Sequence, residues 1–386
     1  MSKARFATLT CYLAFIGLGI SGTLLGPTFQ SLTGKFGLPL ENAGIFTALQ
    51  FGGVSVGVLL FGWILDRINA RWMLSGGALL MGSGLLLIGA AETLEAALLG
   101  AGMLGLGYGA LDVAPNMVIV ALNPKRASAA LNLLNVFYGI GAVIGPQLVS
   151  WALSQENFTL AFSGTALFVL ALAVPFAFVS VRVSDGQGTG AAVRANIRWL
   201  ALLPFFMMLF LQVGAEVGYS SWIFAQINLA AAAPENIAAL ATSLFWVGLT
   251  AGRLNASWLL RRISNGQMIV LTVTIMIAGV LLILMLPSVQ AAGLLSAVIV
   301  GFGVGPLFPT LLGFATDRYP SARGTASGVL IAVGTLGGTL LPLLQGRVGS
   351  GRDGGMMVVL AAAVLLLIVG LWLLRADRRE GIPVNV

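Results

Sequence analysis

Apolar residues run along this 386-residue chain in stretches of about twenty or more, separated by short polar interruptions rather than by a periodic polar stripe. A bilayer core of ~30 Å is crossed by about 20 apolar residues wound as a helix. The pattern predicts about twelve crossings. They cover residues 6–31, 43–65, 72–91, 95–122, 128–153, 159–181, 197–227, 237–260, 267–286, 290–316, 324–346 and 355–374. The first stretch runs well past the ~7–15-residue apolar core of a cleavable signal peptide and ends in Gly26-Pro27, so it is expected to stay as a helix.

Composition supports that reading and narrows the chemistry. The chain is 58% apolar and only 9% charged, against about 25% charged in an average globular protein, which excludes a soluble fold. It has no histidine and one cysteine, Cys11. A zinc site, a histidine-ligated haem, a histidine-based triad and an intramolecular disulfide are therefore ruled out, and no cofactor, metal site or catalytic residue is expected. The net charge of +7 could suggest nucleic acid, but its placement favours topology. With the N-terminus inside, sixteen of the 20 Lys and Arg residues fall in inner segments, from Lys3, Arg5, Arg67, Arg71, Lys125 and Arg126 to Arg375, Arg378 and Arg379. Only Lys35, Arg347 and Arg352 fall in outer ones. The positive-inside bias then puts both termini in the cytoplasm of a multi-pass plasma (cell inner) membrane protein, whose surroundings are lipid rather than nucleic acid.

The longest polar interruption, Arg182 to Arg198, lies between the sixth and seventh crossings and is rich in Gly and Ser, as a flexible linker would be. Across it the sequence repeats. Thr47, Leu49, Gly53, Gly57, Trp63, Leu65, Arg67 and Ile68 recur as Thr242, Leu244, Gly248, Gly252, Trp258, Leu260, Arg262 and Ile263, all 195 positions on. The run Gly105-Leu106-Gly107-Tyr108-Gly109 matches Gly301-Phe302-Gly303-Val304-Gly305 at 196. With six crossings in each half, the copies form a parallel repeat. The expected organisation is a six-helix bundle over residues 1–181, a cytoplasmic linker over 182–196, and a second six-helix bundle over 197–386.

Only Asp112, Glu216 and Arg253 place a formal charge well within a crossing. Such a charge costs on the order of 2.5–3.5 kcal/mol on insertion scales and faces a bundle interior or a cavity. Asp112 precedes Arg126 by fourteen residues, about 21 Å of helix, and Glu216 follows Arg198 at similar depth. Burial sets the charged and neutral forms of a carboxyl in competition, so one central carboxyl in each half suits proton exchange. Arg253 lies about two turns before Arg262, within reach of the cytoplasmic interface, and is read as a snorkelling group or an inner-gate ion partner.

The segment Gly62-Trp63-Ile64-Leu65-Asp66-Arg67-Ile68-Asn69-Ala70-Arg71 resembles the G-x-x-x-D-R-x-G-x-R loop of the major facilitator superfamily, with Asn69 at the usual glycine; Asn also tolerates a left-handed backbone. The resemblance covers the whole chain. It implies an all-α membrane protein with twelve transmembrane helices in two pseudo-symmetric bundles. Gly62, Asp66, Arg67 and Arg71 would act in gating, the Asp66 carboxylate docking on the helix N-terminus after Arg323-Gly324. The stretch from Gly107 to Asn116 is similar to the fourth span of the fucose:proton symporter branch, and Leu131 to Ala142 to its fifth. Carried over residue by residue, Asp112 takes the membrane acid's place, Asn116 follows one turn on, and Asn135 and Tyr138 take the places of two amides. Val213-Gly214-Ala215-Glu216 is similar to that branch's seventh span. One departure matters: Ser21-Gly22-Thr23-Leu24-Leu25-Gly26-Pro27 lacks the acid that the branch has in its first span, so fucose is not implied and coupling falls to Asp112 or Glu216.

Gln50, Tyr138, Tyr219, Trp222 and Trp246 combine flat apolar faces with hydrogen-bonding groups in spans expected to line a cavity. The expectation is a secondary active transporter, acting as a monomer, that moves a small polar solute such as a sugar by alternating access, with a proton or sodium as coupling ion and symport favoured. The alternative is a proton-driven exporter of drugs or amphipathic metabolites, suggested by a partial antiporter-like motif at Gly141, Gly145 and Pro146.

Overall fold

The computed structural model describes residues 3–65, 68–124, 126–179, 199–317, 323–349 and 354–380. Among them all regular structure is helical, and twelve stretches are long and apolar enough to cross a membrane. The chain divides into two compact units, Met1–Gly188 and Thr189–Val386. The expected linker, 182–196, lies outside the described residues.

In the first unit α1 (Lys3–Gly22) gives way to a 3-10 turn at Gly26–Thr28 and then α2 (Phe29–Lys35), so the first crossing bends where Pro27 cannot donate to the helix. The others are α3 (Gly44–Leu65), α4 (Ala70–Ala90), α5 (Leu94–Leu122), α6 (Ala127–Ser154) and α7 (Thr159–Ala177). The second unit holds α8 (Trp199–Ala230), α9 (Glu235–Leu259), α10 (Asn265–Met285), α11 (Gln290–Val304), α12 (Leu307–Thr316), α13 (Arg323–Val348) and α14 (Gly354–Glu380). The tenth crossing is thus two helices, broken at Gly305-Pro306, where one continuous helix was expected.

The sequence repeat is also a repeat of packing. In the first unit α3 and α4 lie on α5, α4 also meets α7, and α1 lies on α6 while touching α5 and α7. In the second, α9 and α10 lie on α11, α10 also meets α14, and α8 lies on α13 while touching α11, α12 and α14. Paired glycines let the equivalent helices touch backbone to backbone. A Cβ on Gly53 would sit 2.6 Å from the main-chain oxygen of Gly102, and one on Gly105 would strike that of Gln50. At the copies, a Cβ on Gly248 would strike the oxygen of Val298 and one on Gly301 that of Phe245. Without a strong hydrophobic drive between helices in lipid, such close approach is a main source of their association.

Helix starts repeat as well. Asn69 accepts a hydrogen bond from the Arg71 amide at 3.2 Å and caps α4, and 195 positions on, Ser264 caps α10 in a capping box with Gln267. The backbone of Asn69 is extended, with φ −68° and ψ 136°. Its place in the loop motif is therefore that of an N-cap whose side chain meets an orphan amide, not of a left-handed turn residue as its exchange with glycine suggested.

Candidate functional site

In the first unit, polar groups gather where α1 ends. Gly22 is its last residue, and a Cβ there would lie 3.2 Å from the Tyr138 hydroxyl of α6 and 3.5 Å from the Tyr108 hydroxyl of α5. The absent side chain leaves room in which two phenols from different helices converge. Beside them Gln50 of α3, 1% exposed, donates from Nε2 to the Ser21 carbonyl at 3.4 Å. The hydroxyls of Ser21 and of Thr47, one turn before Gln50, are buried without a hydrogen-bond partner among the described residues. Orphaned polar atoms are rare inside folded proteins and mark places where a ligand or water belongs.

Asp112 follows Tyr108 by one turn on α5. Among the described residues nothing hydrogen-bonds its carboxyl. Asn116, one turn on, turns to the backbone instead: its Nδ2 donates to the Asp112 main-chain oxygen at 2.6 Å. Pro115 interrupts the amide ladder immediately before it. Asn135 likewise bonds its own helix, from Nδ2 to the Leu131 oxygen at 2.9 Å, and is otherwise exposed.

In the second unit the deep carboxyl is surrounded by its own partners. Gln212 Nε2 donates to Glu216 Oε2 at 2.8 Å, and Arg253 of α9 lies close enough for its charge to act on Glu216. Arg253 Nε also donates to the Gly305 oxygen at 3.3 Å, at the break between α11 and α12. The aromatic candidates are largely taken up in packing. Tyr219 is fully buried, its hydroxyl 2.7 Å from Ser296 Oγ, which donates to the Gly279 oxygen at 2.7 Å. Trp222 Nε1 donates to the Pro342 oxygen at 3.2 Å, and Trp246 is buried edge-on to Phe245 at 5.4 Å.

Of the gating motif, Asp66 and Arg67 lie outside the described residues. Gly62 falls in the last turn of α3, and the Arg71 guanidinium lies over the Trp72 ring at 5.0 Å. The sequence reading passed over Tyr108, Ser21 and Thr47. Tyr108 could have been found by its one-turn spacing from Asp112, whereas Ser21 and Thr47 look like any small polar residue in a helix. A groove of about 420 Å³ between α8 and α14, lined by Leu203, Pro204, Met207, Ile368, Val369 and Trp372, is almost wholly apolar and offers a polar solute nothing to bond.

The Major Facilitator Superfamily model matches residues 11–342, and again 233–384. The chain belongs to the major facilitator superfamily. A sodium-dependent glucose transporter 1A of Mus musculus is 22% identical over 373 residues, covering 87% of this chain and 88% of its own length. A glucose/galactose transporter of Brucella abortus is 25% identical over 361 residues, covering 88% and 87%. Among solved structures, the nucleoside transporter NupG superimposes with a TM-score of 0.75 at 16% identity, covering 97% of this chain and 99% of its own. A bacterial homologue of the lysosomal transporter Spinster gives 0.74 at 16% identity, covering 98% of each. The major facilitator fold, the multi-pass membrane character and the activity class, transport rather than enzymatic conversion, follow from this membership. Of the two deep acids, Asp112 in the first bundle has no hydrogen-bond partner for its carboxyl among the described residues, and Glu216 in the second has Gln212.

Proposed function

We propose that this superfamily member takes a sugar or sugar-like polar solute across the cell membrane by alternating access, in symport with a cation, and that Asp112 carries the coupling ion. The observation that carries this reading is the Asp112 carboxyl: deep in α5, next in register to Tyr108, and without a hydrogen-bond partner among the described residues. A carboxyl that the protein leaves unmatched at that depth is suited to load and release an ion from solution. The solute class is supported by the sugar transporters among the relatives and by the hydroxyl and amide groups of Tyr108, Tyr138, Gln50, Ser21 and Thr47, the partners that a polyhydroxylated solute needs. A proton is the leading ion, with sodium the alternative that one relative's name suggests. The protein acts as a monomer with both termini in the cytoplasm, and Asp66 with Arg67 and Arg71 closes the cytoplasmic side.

The test is uptake of labelled hexoses into proteoliposomes under an imposed pH or sodium gradient. Gradient-driven accumulation is expected from the parent protein and its loss from Asp112→Asn, with gradient-free exchange retained. Equal accumulation by Asp112→Asn would refute the assignment. Solute accumulation driven outward by the gradient would replace uptake with the exporter reading. Asp66→Asn is expected to slow flux with little change in melting temperature, and unaltered flux would remove the latch.

A further inference from the structure

The broken tenth crossing holds a carbonyl that its own helix cannot serve. In an unbroken helix the Gly305 oxygen would accept from the amide four residues on, but that residue is Pro309, which has none; Pro306 leaves the Phe302 oxygen in the same state. Both carbonyls lack their in-helix amide donor, while Gly305 and Pro306 themselves keep right-handed helical angles. Arg253 Nε donates to the Gly305 oxygen at 3.3 Å, and the same side chain acts electrostatically on Glu216. Gln212 completes the group. Its Nε2 is bonded to Glu216 at 2.8 Å, while its Oε1 is buried and has no hydrogen-bond partner among the described residues, on a residue 1% exposed. A carboxylate, an amide oxygen and a carbonyl without its in-helix donor are the oxygen donors that hold hard cations, and carbonyls freed at a helix interruption coordinate sodium in transporters.

At the repeat-related positions the first bundle lacks these groups. At the repeat spacing, Glu216 and Arg253 correspond to Ser21 and Val58, and Pro306 and Pro309 to Ala110 and Val113, while α5 runs unbroken from Leu94 to Leu122. The acid, the base and the helix break occur together in one copy and are absent together from the other.

We propose that Glu216 and the Gly305 carbonyl form a monovalent-cation site that the Arg253 guanidinium occupies, with Gln212 Oε1, which the guanidinium does not bond, as the ligand left over for a free ion, so that Arg253 is a tethered cation of the second bundle. Arg253 is then a positioning residue: it holds the break in α11–α12 and neutralises Glu216 without drawing an ion from solution. The consequence for coupling, that the exchangeable ion belongs to Asp112 alone, rests on the reading of Asp112 above; the tethered-cation site does not.

The test is a gain of cation dependence. The parent for this test carries Asp112→Asn, so that no ion held at Asp112 contributes, and it and its Arg253→Ala derivative are purified at full length in detergent and melted in sodium, potassium or choline chloride at equal ionic strength. The melting temperature of Arg253→Ala is expected to rise, saturably, by at least about 2 °C when choline is replaced by sodium. The parent protein, Arg253→Lys and the double variant Arg253→Ala/Glu216→Gln are expected to show no such rise. Equal melting of Arg253→Ala in all three salts would overturn the proposal, as would the same sodium response in the parent. If Arg253→Ala folds only with sodium or potassium present, the site stands; if it fails in every salt while Arg253→Lys folds, Arg253 is a structural bond and the site is refuted. These readings are independent of flux, so failure here leaves the role of Asp112 to its own test.

Discussion

A phenol closed on a serine hydroxyl inside a helix bundle does different work from one packed against a bare glycine beside a second phenol. Tyr219 bonds Ser296 Oγ and packs at 5.4 Å from Phe245, whereas the Tyr138 hydroxyl meets the bare Gly22. Removing the Tyr219 hydroxyl leaves Ser296 its bond to Gly279, so Tyr219→Phe is expected to cost about 0.5–1.5 kcal/mol of stability with the solute KM unchanged. Tyr138→Phe is expected to raise the solute KM several-fold. Thermal unfolding and flux kinetics on the two variants check both, and a KM change in Tyr219→Phe would return that residue to the solute site. Both tyrosines stand in glycine-flanked apolar spans, and the sequence gives no reason to separate them. Which one meets a serine depends on the rotation of α8 against α10 and α11, and that rotation leaves no mark in helices that are apolar on every side.

At the scale of elements, glycines in one helix divide by what faces them. Both Gly102 and Gly105 lie in α5, yet a Cβ on Gly102 would meet nothing within 4 Å, while one on Gly105 would strike the Gln50 main chain. Gly102→Ala should therefore be neutral or stabilising by up to about 1 kcal/mol, through helix propensity alone. Gly105→Ala must force α3 from α5 and is expected to lower the melting temperature by several degrees or to abolish expression; parent-like melting would refute the backbone contact. The repeat was legible at this scale because close approach requires glycine at fixed positions in both copies. The break in the tenth crossing was not predicted, although Pro306 and Pro309 were in view, because an apolar run of crossing length reads as one helix. The role of Asn69 needed the backbone: the same residue type suits a left-handed turn or an N-cap, and only φ and ψ distinguish them.

For the whole molecule, the distribution of Lys and Arg makes a topological prediction. Cys11 is fully buried, so a cysteine placed at an exposed loop position is the reactive one. With a membrane-impermeant maleimide, Glu92→Cys should label in intact cells and Arg261→Cys only after permeabilisation. The opposite result would invert the orientation argued from the basic residues. Length of apolar runs, placement of charge and the 195-residue register are properties of the chain that need no knowledge of what faces what. They determined the membrane character, the number of crossings and the doubling of the bundle, while the resemblance to the superfamily rested on the loop motif from Gly62 to Arg71. The three deep charges were visible by the same logic, since each is an exception in an apolar run. Tertiary structure decided how they differ: Glu216 is met by Gln212 and Arg253, Arg253 by the carbonyl at a helix break, and Asp112 by no hydrogen-bonding group among the described residues. Gln212 stands one turn from Glu216 on the same helix, a spacing the sequence displays, but Arg253 and the Gly305 carbonyl come from other helices, and a partner across a helix interface is fixed by packing geometry that no local stretch of sequence contains.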